Sequence, residues 1–238
     1  MKIALIGYGK MGKEIEKVAL ERNHTIAHVF SEDLPFMNAT EIDADVAIEF
    51  SVPHLAVPHM EQCLKLNLPV IVGTTGWDES LTSIEKETKT QNGSILYASN
   101  FSLGVHLFFE MTKKFSRLMD AYDYKPSITE IHHTEKLDIP SGTAITMVEL
   151  ILEELKSFNK TEKDGEYIGG SGALPVHSKR VENVPGTHEV RFSSDIDELT
   201  LTHKAHNRKG FALGAVIAAE WIQNKKGLFT MSDVLNLK

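Results

Sequence analysis

The sequence predicts an α/β chain in which a doubly wound domain with a parallel sheet is followed by a smaller α+β domain. Three observations predict it. Short apolar runs alternate with helix-patterned segments through the first hundred residues, the pattern of a parallel sheet with helices on both faces. The opening run Lys2-Ile3-Ala4-Leu5-Ile6 leads directly into Gly7-Tyr8-Gly9-Lys10-Met11-Gly12, after which Ile15, Val18 and Ala19 fall at helical spacing. Beyond Phe101, strand-like runs gather together instead of alternating with helices.

The first strand, its G-x-G-x-x-G turn and the following helix form the fingerprint of a dinucleotide-binding Rossmann domain. The glycines serve a tight turn, close backbone approach to a pyrophosphate, and packing of helix on strand. Thr25 to Phe30 reads as the second strand and Asp45 to Phe50 as the third. His54 to Leu66 is helical, Pro69 to Gly73 is a buried-type strand, Glu79 to Gln91 a polar helix, and Ser94 to Ala98 the fifth strand. Leu103 to Met119 predicts a helix leading out of this domain. Ser127 to His132 alternates polar and apolar residues like a strand. Met147, Leu150, Ile151 and Leu155 set the register of a helix from about Thr143 to Lys156. Thr161 to Gly172 is rich in glycine and charge and predicts a surface loop. His188 to Phe192 and Glu198 to His203 are strand-like, and the apolar helix Ala212 to Ile222 comes last.

Composition narrows the function. With 238 residues, 42% hydrophobic and 24% charged, the chain reads as an ordinary globular protein of one large domain or two small ones. A formal charge of −8 without a basic cluster argues against nucleic-acid or anionic-membrane binding. No apolar run approaches the roughly twenty residues that span a bilayer. Cys63 is the single cysteine, so no intrachain disulfide forms, and a cytoplasmic setting is expected.

Dinucleotide folds bind their ligand at the carboxyl ends of the strands. Three such ends carry suitable residues: Phe50-Ser51, Gly73-Thr74-Thr75-Gly76 and Ala98-Ser99-Asn100-Phe101. Glycine admits a close ligand, while threonine and asparagine offer hydrogen bonds to ribose or a carboxamide. The second strand ends in Phe30-Ser31-Glu32-Asp33, with an acid one residue late and no adjacent arginine or lysine. An acid there suits the ribose 2′-hydroxyl of NADH and a base the 2′-phosphate of NADPH, so the balance tilts only slightly to NADH.

The densest chemistry lies between Glu130 and Thr143. Two adjacent imidazoles, His132 and His133, can move protons near neutral pH. Lys136 and the helix start after Ser141 both attract anions. Side chains of neighbouring strand residues point to opposite faces, so both histidines reach one ligand only if the strand ends or bends there. A metal site would need three or four convergent ligands, and His132, His133, His203 and His206 complete no known spacing; no metal is expected. Cys63, among Met60, Leu64 and Leu66, is expected to be core rather than a nucleophile.

The motif Glu130-x-His132-His133-x-x-Lys136-x-Asp138-x-Pro140-Ser141-Gly142-Thr143-Ala144 closely resembles the signature of the dihydrodipicolinate reductase family, enzymes of bacterial lysine and diaminopimelate biosynthesis. The resemblance extends over Gly7 to Gly12, Gly73-Thr74-Thr75-Gly76, Asn100-Phe101-Ser102-x-Gly104-Val105, and Thr202-His203-Lys204-Ala205 through Arg208, Phe211 and Gly214-Ala215. It implies a Rossmann domain (1–101 and 210–238, the last helix returning to it) joined to a substrate domain (102–209) with a mixed sheet that builds a homotetramer. It implies reduction of 4-hydroxy-tetrahydrodipicolinate, a small cyclic dicarboxylate, by NADH or NADPH with loss of water. By motif position His132 is the proton donor and acceptor and Lys136 a second proton donor. His133, Ser141, Gly142 and Thr143 bind substrate, and Gly7, Tyr8, Gly9, Lys10, Met11, Gly12, Gly73, Thr74, Thr75, Ala98, Ser99, Asn100 and Phe101 surround the cofactor. Two departures stand out: Ser31 occupies the place of an acid common in NADH-using relatives, and Arg180-Val181-Glu182-Asn183-Val184-Pro185-Gly186 replaces an Arg-Gly-Gly turn, although Gly186-Thr187-His188 survives. Two rival readings remain: another Rossmann oxidoreductase acting on a sugar or amino acid, and a non-catalytic NADH-binding regulator.

Overall fold

The computed structural model of the chain describes residues 1–136, 138–155, 161–163, 166–168 and 173–237. The chain separates into two compact units, residues 1–103 with 208–238, and residues 104–207.

The first unit runs β1 (Lys2–Ile6), α1 (Lys10–Glu21), β2 (Thr25–Phe30), β3 (Val46–Glu49), α2 (Pro53–Lys65), β4 (Val70–Val72), α3 (Leu81–Thr90) and β5 (Ser94–Tyr97). Its strands pair in parallel in the order β2, β1, β3, β4, β5, with a last strand from the C-terminal segment beside β5. Alternate strand residues face opposite cores. Ile3, Leu5, Val46, Ile48, Ile71 and Leu96 pack against Ile15, Val18 and Ala19 of α1. Ala4, Ile6, Ala47, Val70, Val72 and Ile95 pack against Ala56, Met60, Cys63 and Leu64 of α2 and Ile84 of α3. Covering both faces explains why these strands read as continuous apolar runs, and each fully buried Ile, Val or Leu contributes roughly 1.5–3 kcal/mol.

Three helices stop in the same way. Asn23, Asn67 and Asn92, each at positive φ, follow α1, α2 and α3. The next amide in each case reaches back into the last turn: His24 N to Ala19 O at 2.9 Å, Leu68 N to Cys63 O at 2.9 Å, and Gly93 N to Thr88 O at 2.8 Å. This is the Schellman closure, with asparagine taking the left-handed residue that glycine usually supplies, and it turns the chain directly into the following strand.

The second unit holds α4 (Leu103–Met119), β6 (Lys125–His132), α5 (Gly142–Glu154), β7 (Thr161–Lys163), β8 (Glu166–Ile168), β9 (Ala173–Leu174), β10 (Val176–Arg180), β11 (Gly186–Ser193) and β12 (Glu198–Ala205). Its main sheet is mixed, in the order β10, β6, β11, β12: β10 runs parallel to β6, and the other pairs are antiparallel. Along β6 Pro126, Ile128, Glu130 and His132 are buried on one face. Ile128, Val190 and Phe192 form a core with Phe108 of α4 and Met147, Val148 and Ile151 of α5. β7, β8 and β9 form a small antiparallel sheet, so Thr161 to Gly172 is not the continuous loop its composition suggested; the remainder of that stretch lies outside the described residues. Helix α5 ends at Glu154, and Lys156, its expected last residue, also lies outside them.

The C-terminal segment adds α6 (Lys209–Trp221), β13 (Gly227–Phe229) and α7 (Met231–Val234) to the first unit. Helix α6 packs on α1, β3 and β4, and β13 is the strand beside β5. Gly214 lets α6 lie directly on the backbone that follows β5, since a Cβ there would be 1.7 Å from the Phe101 carbonyl oxygen. Among the described residues no helix is long and apolar enough to cross a membrane.

Candidate active site

In the first unit the parallel register brings all the strand ends to one edge, and the order changes direction between β1 and β3, where doubly wound sheets open a crevice. Each glycine of the opening turn has a different reason to be glycine. Gly7 sits at φ +93°, its amide donates to Phe30 O at 3.0 Å, and a Cβ would lie 2.1 Å from Phe50 O. At Gly12 a Cβ would lie 2.4 Å from Gly7 O, so the helix start packs directly on the turn. At Gly9 a Cβ would meet nothing within 4 Å. Gly9 also caps α1 with no side chain bonded to the helix amides. An open backbone at an uncapped helix start between two tightly packed glycines fits a dinucleotide pyrophosphate.

The neighbouring ends complete the edge. Gly73 lies where a Cβ would meet the Phe50 ring at 2.2 Å, and Thr74 accepts from Ser51 N at 2.8 Å through its hydroxyl. Thr75, Lys10 and Ser99 are exposed, Ala98 and Asn100 half-buried. The Asn100 carboxamide accepts from Ser102 N at 2.8 Å. Three predicted residues turn away from the edge. Phe101 is buried against Phe50, Met11 packs on the core beneath α1, and the Tyr8 hydroxyl donates to Glu16. What Phe101 and Met11 present at the edge is therefore backbone. Sequence reading missed Glu49, fully buried at the end of β3, where it accepts from Ser51 N at 3.2 Å and meets His59 Nδ1 at 3.3 Å. Its signal was an acid in phase with apolar strand residues.

In the second unit β6 ends at His132, which frees His133 from strand geometry. His133 starts a turn closed by Lys136 N donating to His133 O at 3.1 Å, and Lys136 Nζ pairs with Asp138 at 2.8 Å. Ser141 caps α5, its hydroxyl accepting from Ala144 N at 3.2 Å, while Gly142 is exposed and Thr143 half-buried at the first turn. His132 is nearly buried, with Gly186 opposite: a Cβ at Gly186 would stand 3.3 Å from His132 Nε2, so glycine makes room for the ring.

The residue that joins these parts is Glu130, fully buried. Its carboxylate accepts from Ser141 N at 3.1 Å and from the Ser178 hydroxyl at 2.6 Å. His132 Nδ1 stands 3.3 Å from the other oxygen, in an orientation too oblique for a well-formed bond. Burial alone would raise this carboxyl, yet the facing His132 imidazole and donation from Ser141 and Ser178 hold it well below the usual carboxylate range. Arg180 Nη1 lies 3.5 Å from it, while Nε and Nη2 donate to the carbonyls of Lys136 at 3.1 Å and Asp138 at 2.6 Å. The segment that departs from the Arg-Gly-Gly pattern thus starts with an arginine that ties down the lysine loop. Glu130 shares the parity of Ile128 and His132 along the predicted strand, the signal that could have marked it.

His188 lies opposite Glu130 in the sheet and His203 opposite His188, with the His132 and His188 ring centres 4.9 Å apart. Burial first, then the His132 charge, pushes His188 from 6.5 down to about 3. Glu130, His132 and His188 bring ligand atoms within 4.8 Å of one another, and no other such group occurs among the described residues. The Arg180 cation already neutralises the Glu130 oxygen, which opposes a second cation there. His188 also yields a stability prediction. The unfolded imidazole takes a proton below pH 6.5 and the folded one only near 3, so folding is favoured most above 6.5 and loses a few kcal/mol as pH falls through that window. Urea midpoints against pH should fall less steeply between 6.5 and 3 in His188→Gln; an unchanged slope would contradict a neutral buried His188.

A parallel nucleotide-type sheet and a second unit carrying an imidazole, an ammonium and a capped helix start define a two-unit, Rossmann-type oxidoreductase. Family models narrow this: "Dihydrodipicolinate reductase, N-terminus" matches residues 1–101 and "Dihydrodipicolinate reductase, C-terminus" residues 104–235. The chain belongs to the dihydrodipicolinate reductase family. It is 46% identical over 240 positions to the 4-hydroxy-tetrahydrodipicolinate reductase of Christiangramia forsetii, covering 99% of this chain and 98% of that one. It is 37% identical over 230 positions to the enzyme of the same name from Rickettsia bellii, covering 94% and 90%. Among solved structures it matches the dipicolinate-bound dihydrodipicolinate reductase from Paenisporosarcina sp. TG-14, with a TM-score of 0.73, 27% identity and 97% of each chain covered. A probable dehydrogenase from Thermotoga maritima shares the fold alone, with a TM-score of 0.61 at 10% identity, covering 98% of this chain and 92% of that one.

Proposed function

We propose that this chain is a 4-hydroxy-tetrahydrodipicolinate reductase, converting 4-hydroxy-tetrahydrodipicolinate to tetrahydrodipicolinate and water with NADH or NADPH, in the diaminopimelate route to lysine. The observation that carries the proposal is the short path from the end of β6 to the start of α5, which holds His132, His133, Lys136 and the Ser141 cap on one loop. A cyclic dicarboxylate has two anionic ends to anchor. The first turn of α5 at Ser141, Gly142 and Thr143 suits one, and Lys136 with His133 suits the other.

Gly7, Tyr8, Gly9, Lys10, Met11, Gly12, Gly73, Thr74, Thr75 and Ala98 to Phe101 are the residues that would hold the nicotinamide dinucleotide, which when bound supplies the hydride. Residues 1–101 with 210–238 form the nucleotide domain in this reading, and 102–209 the substrate domain. Loss of the 4-hydroxyl calls for one proton and reduction of the conjugated ring for another. With Nδ1 turned to the Glu130 carboxylate, His132 has Nε2 left to deliver a proton, and Lys136 is the second donor. An acid so placed contributes about 10²- to 10⁴-fold. Lys136→Ala should therefore lower kcat and raise KM for the substrate together; loss of neither would remove Lys136 from the site.

Strand β12 stands at the edge of its sheet with its outward residues exposed, which supports assembly of the second unit into a homotetramer, measurable by light scattering. A cytoplasmic enzyme accords with the single buried thiol, Cys63. Steady-state oxidation of NADH and of NADPH with 4-hydroxy-tetrahydrodipicolinate tests the proposal. Turnover dependent on that substrate is expected, with Glu32 and Asp33 tilting the preference slightly to NADH although Ser31 stands in the acid's usual place; absence of turnover with either cofactor would refute it.

A further inference from the structure

Resting on the reading of His132 as the acid, we propose that Glu130, with Arg180 as counter-ion, is the positioning residue of the substrate site. This one buried carboxylate sets the imidazole, the helix start and the lysine loop together. Four elements meet on the pair. Oε2 faces His132 Nδ1 at 3.3 Å on β6. Both oxygens take the Ser141 amide, at 3.1 and 3.2 Å, where α5 begins. Oε1 takes the Ser178 hydroxyl at 2.6 Å on β10. Arg180, 3.5 Å from Oε1, passes the connection to the Lys136 and Asp138 carbonyls.

A strand-to-helix link alone does not call for an ion. Burying a carboxylate is costly unless it is paired and hydrogen-bonded, and a neutral amide would hold Ser141 N at less cost. The charge has a use at His132. A carboxylate on Nδ1 keeps the proton there in the neutral ring, orients the ring and stabilises the imidazolium. The groups that surround that ring are Glu130 on its own strand as the anion, Arg180 from β10 offsetting part of that charge, His188 from β11 held neutral by burial, and Lys136 on the loop beyond. Gly186 sets no side chain of its own against Nε2, where a Cβ would stand 3.3 Å away.

The test compares Glu130→Gln, Glu130→Asp, Arg180→Lys and His132→Gln in the full chain, with kcat and KM followed against pH and NADH affinity measured separately. In Glu130→Gln, kcat should fall about 10- to 100-fold, as for other groups that orient a functional histidine. The limb of the kcat profile that reports loss of the acid's proton should move to lower pH, because the imidazolium has lost its anion, while NADH affinity is unchanged. Glu130→Asp should restore the limb and keep a raised KM, since the shorter side chain keeps the charge but not its reach to Ser141. Arg180→Lys should raise KM with the limb retained. If His132→Gln left kcat and its limb intact, the acid reading would fail and this proposal with it. If His132→Gln lost them while Glu130→Gln kept a wild-type rate and limb, the positioning role alone would be overturned. Should Glu130→Gln fail to fold, a wild-type KM in Arg180→Lys would overturn it as well.

Discussion

His132→Gln should lower kcat about 10²- to 10⁴-fold, the contribution of a positioned general acid, while leaving NADH affinity unchanged. Glutamine is near in size to histidine and can fill the nearly buried space beside Gly186, so packing is largely kept. It has no proton to give near neutral pH. Turnover that remains would reflect orientation of the reactants, which does not depend on this side chain. Rapid-mixing kinetics that separate the reduction step from product release measure the effect where it belongs. Full turnover in this variant would mean that the proton comes from elsewhere.

The second large effect is structural and lies in the other unit. Gly7→Ala should destabilise the fold by about 3 kcal/mol or more, because two costs combine. The residue sits at φ +93°, a left-handed conformation that an L side chain resists, and its Cβ would overlap the Phe50 carbonyl at 2.1 Å. That contact is backbone on backbone, so relief means moving β3 against β1 at the switch point. Gly9→Ala is the control. With nothing within 4 Å of its Cβ, the fold should be spared while NADH binding weakens, because the methyl group would enter the space open to a pyrophosphate. Urea unfolding and fluorescence titration separate the two outcomes. A Gly7→Ala protein with an unshifted midpoint would show that the turn is looser than its geometry indicates.

The difference between those two glycines shows how far the sequence could be read. The spacing from Gly7 to Gly12 was legible because each position answers a backbone constraint, and backbone constraints fix residue type. Strand order was not: nothing local to Val46–Glu49 says on which side of β1 it joins, because that depends on which helix covers which face. Besides β7 to β9, which fall in or beside the stretch read as a loop, β13 and β10 were missed for opposite reasons. β13 is three residues long, below the length at which alternation is visible. β10 alternates, but with Ser178 and Arg180 in the positions an apolar pattern would fill, since its neighbours there are a carboxylate and carbonyl groups rather than a core. Glu130 was hidden by the same logic. A polar residue at a buried strand position reads as noise until its partners, 11, 48 and 50 residues away in the chain, are brought to it. The histidine pair was visible because it is local, and the group that organises it was not because its contacts are distant.

The most direct test of the dicarboxylate site is calorimetric titration of pyridine-2,6-dicarboxylate into the protein saturated with NADH, for the native chain and for Lys136→Ala. Saturable binding of one dicarboxylate per chain is expected, weakened in Lys136→Ala. No binding in the presence of NADH, or equal affinity in both proteins, would contradict it.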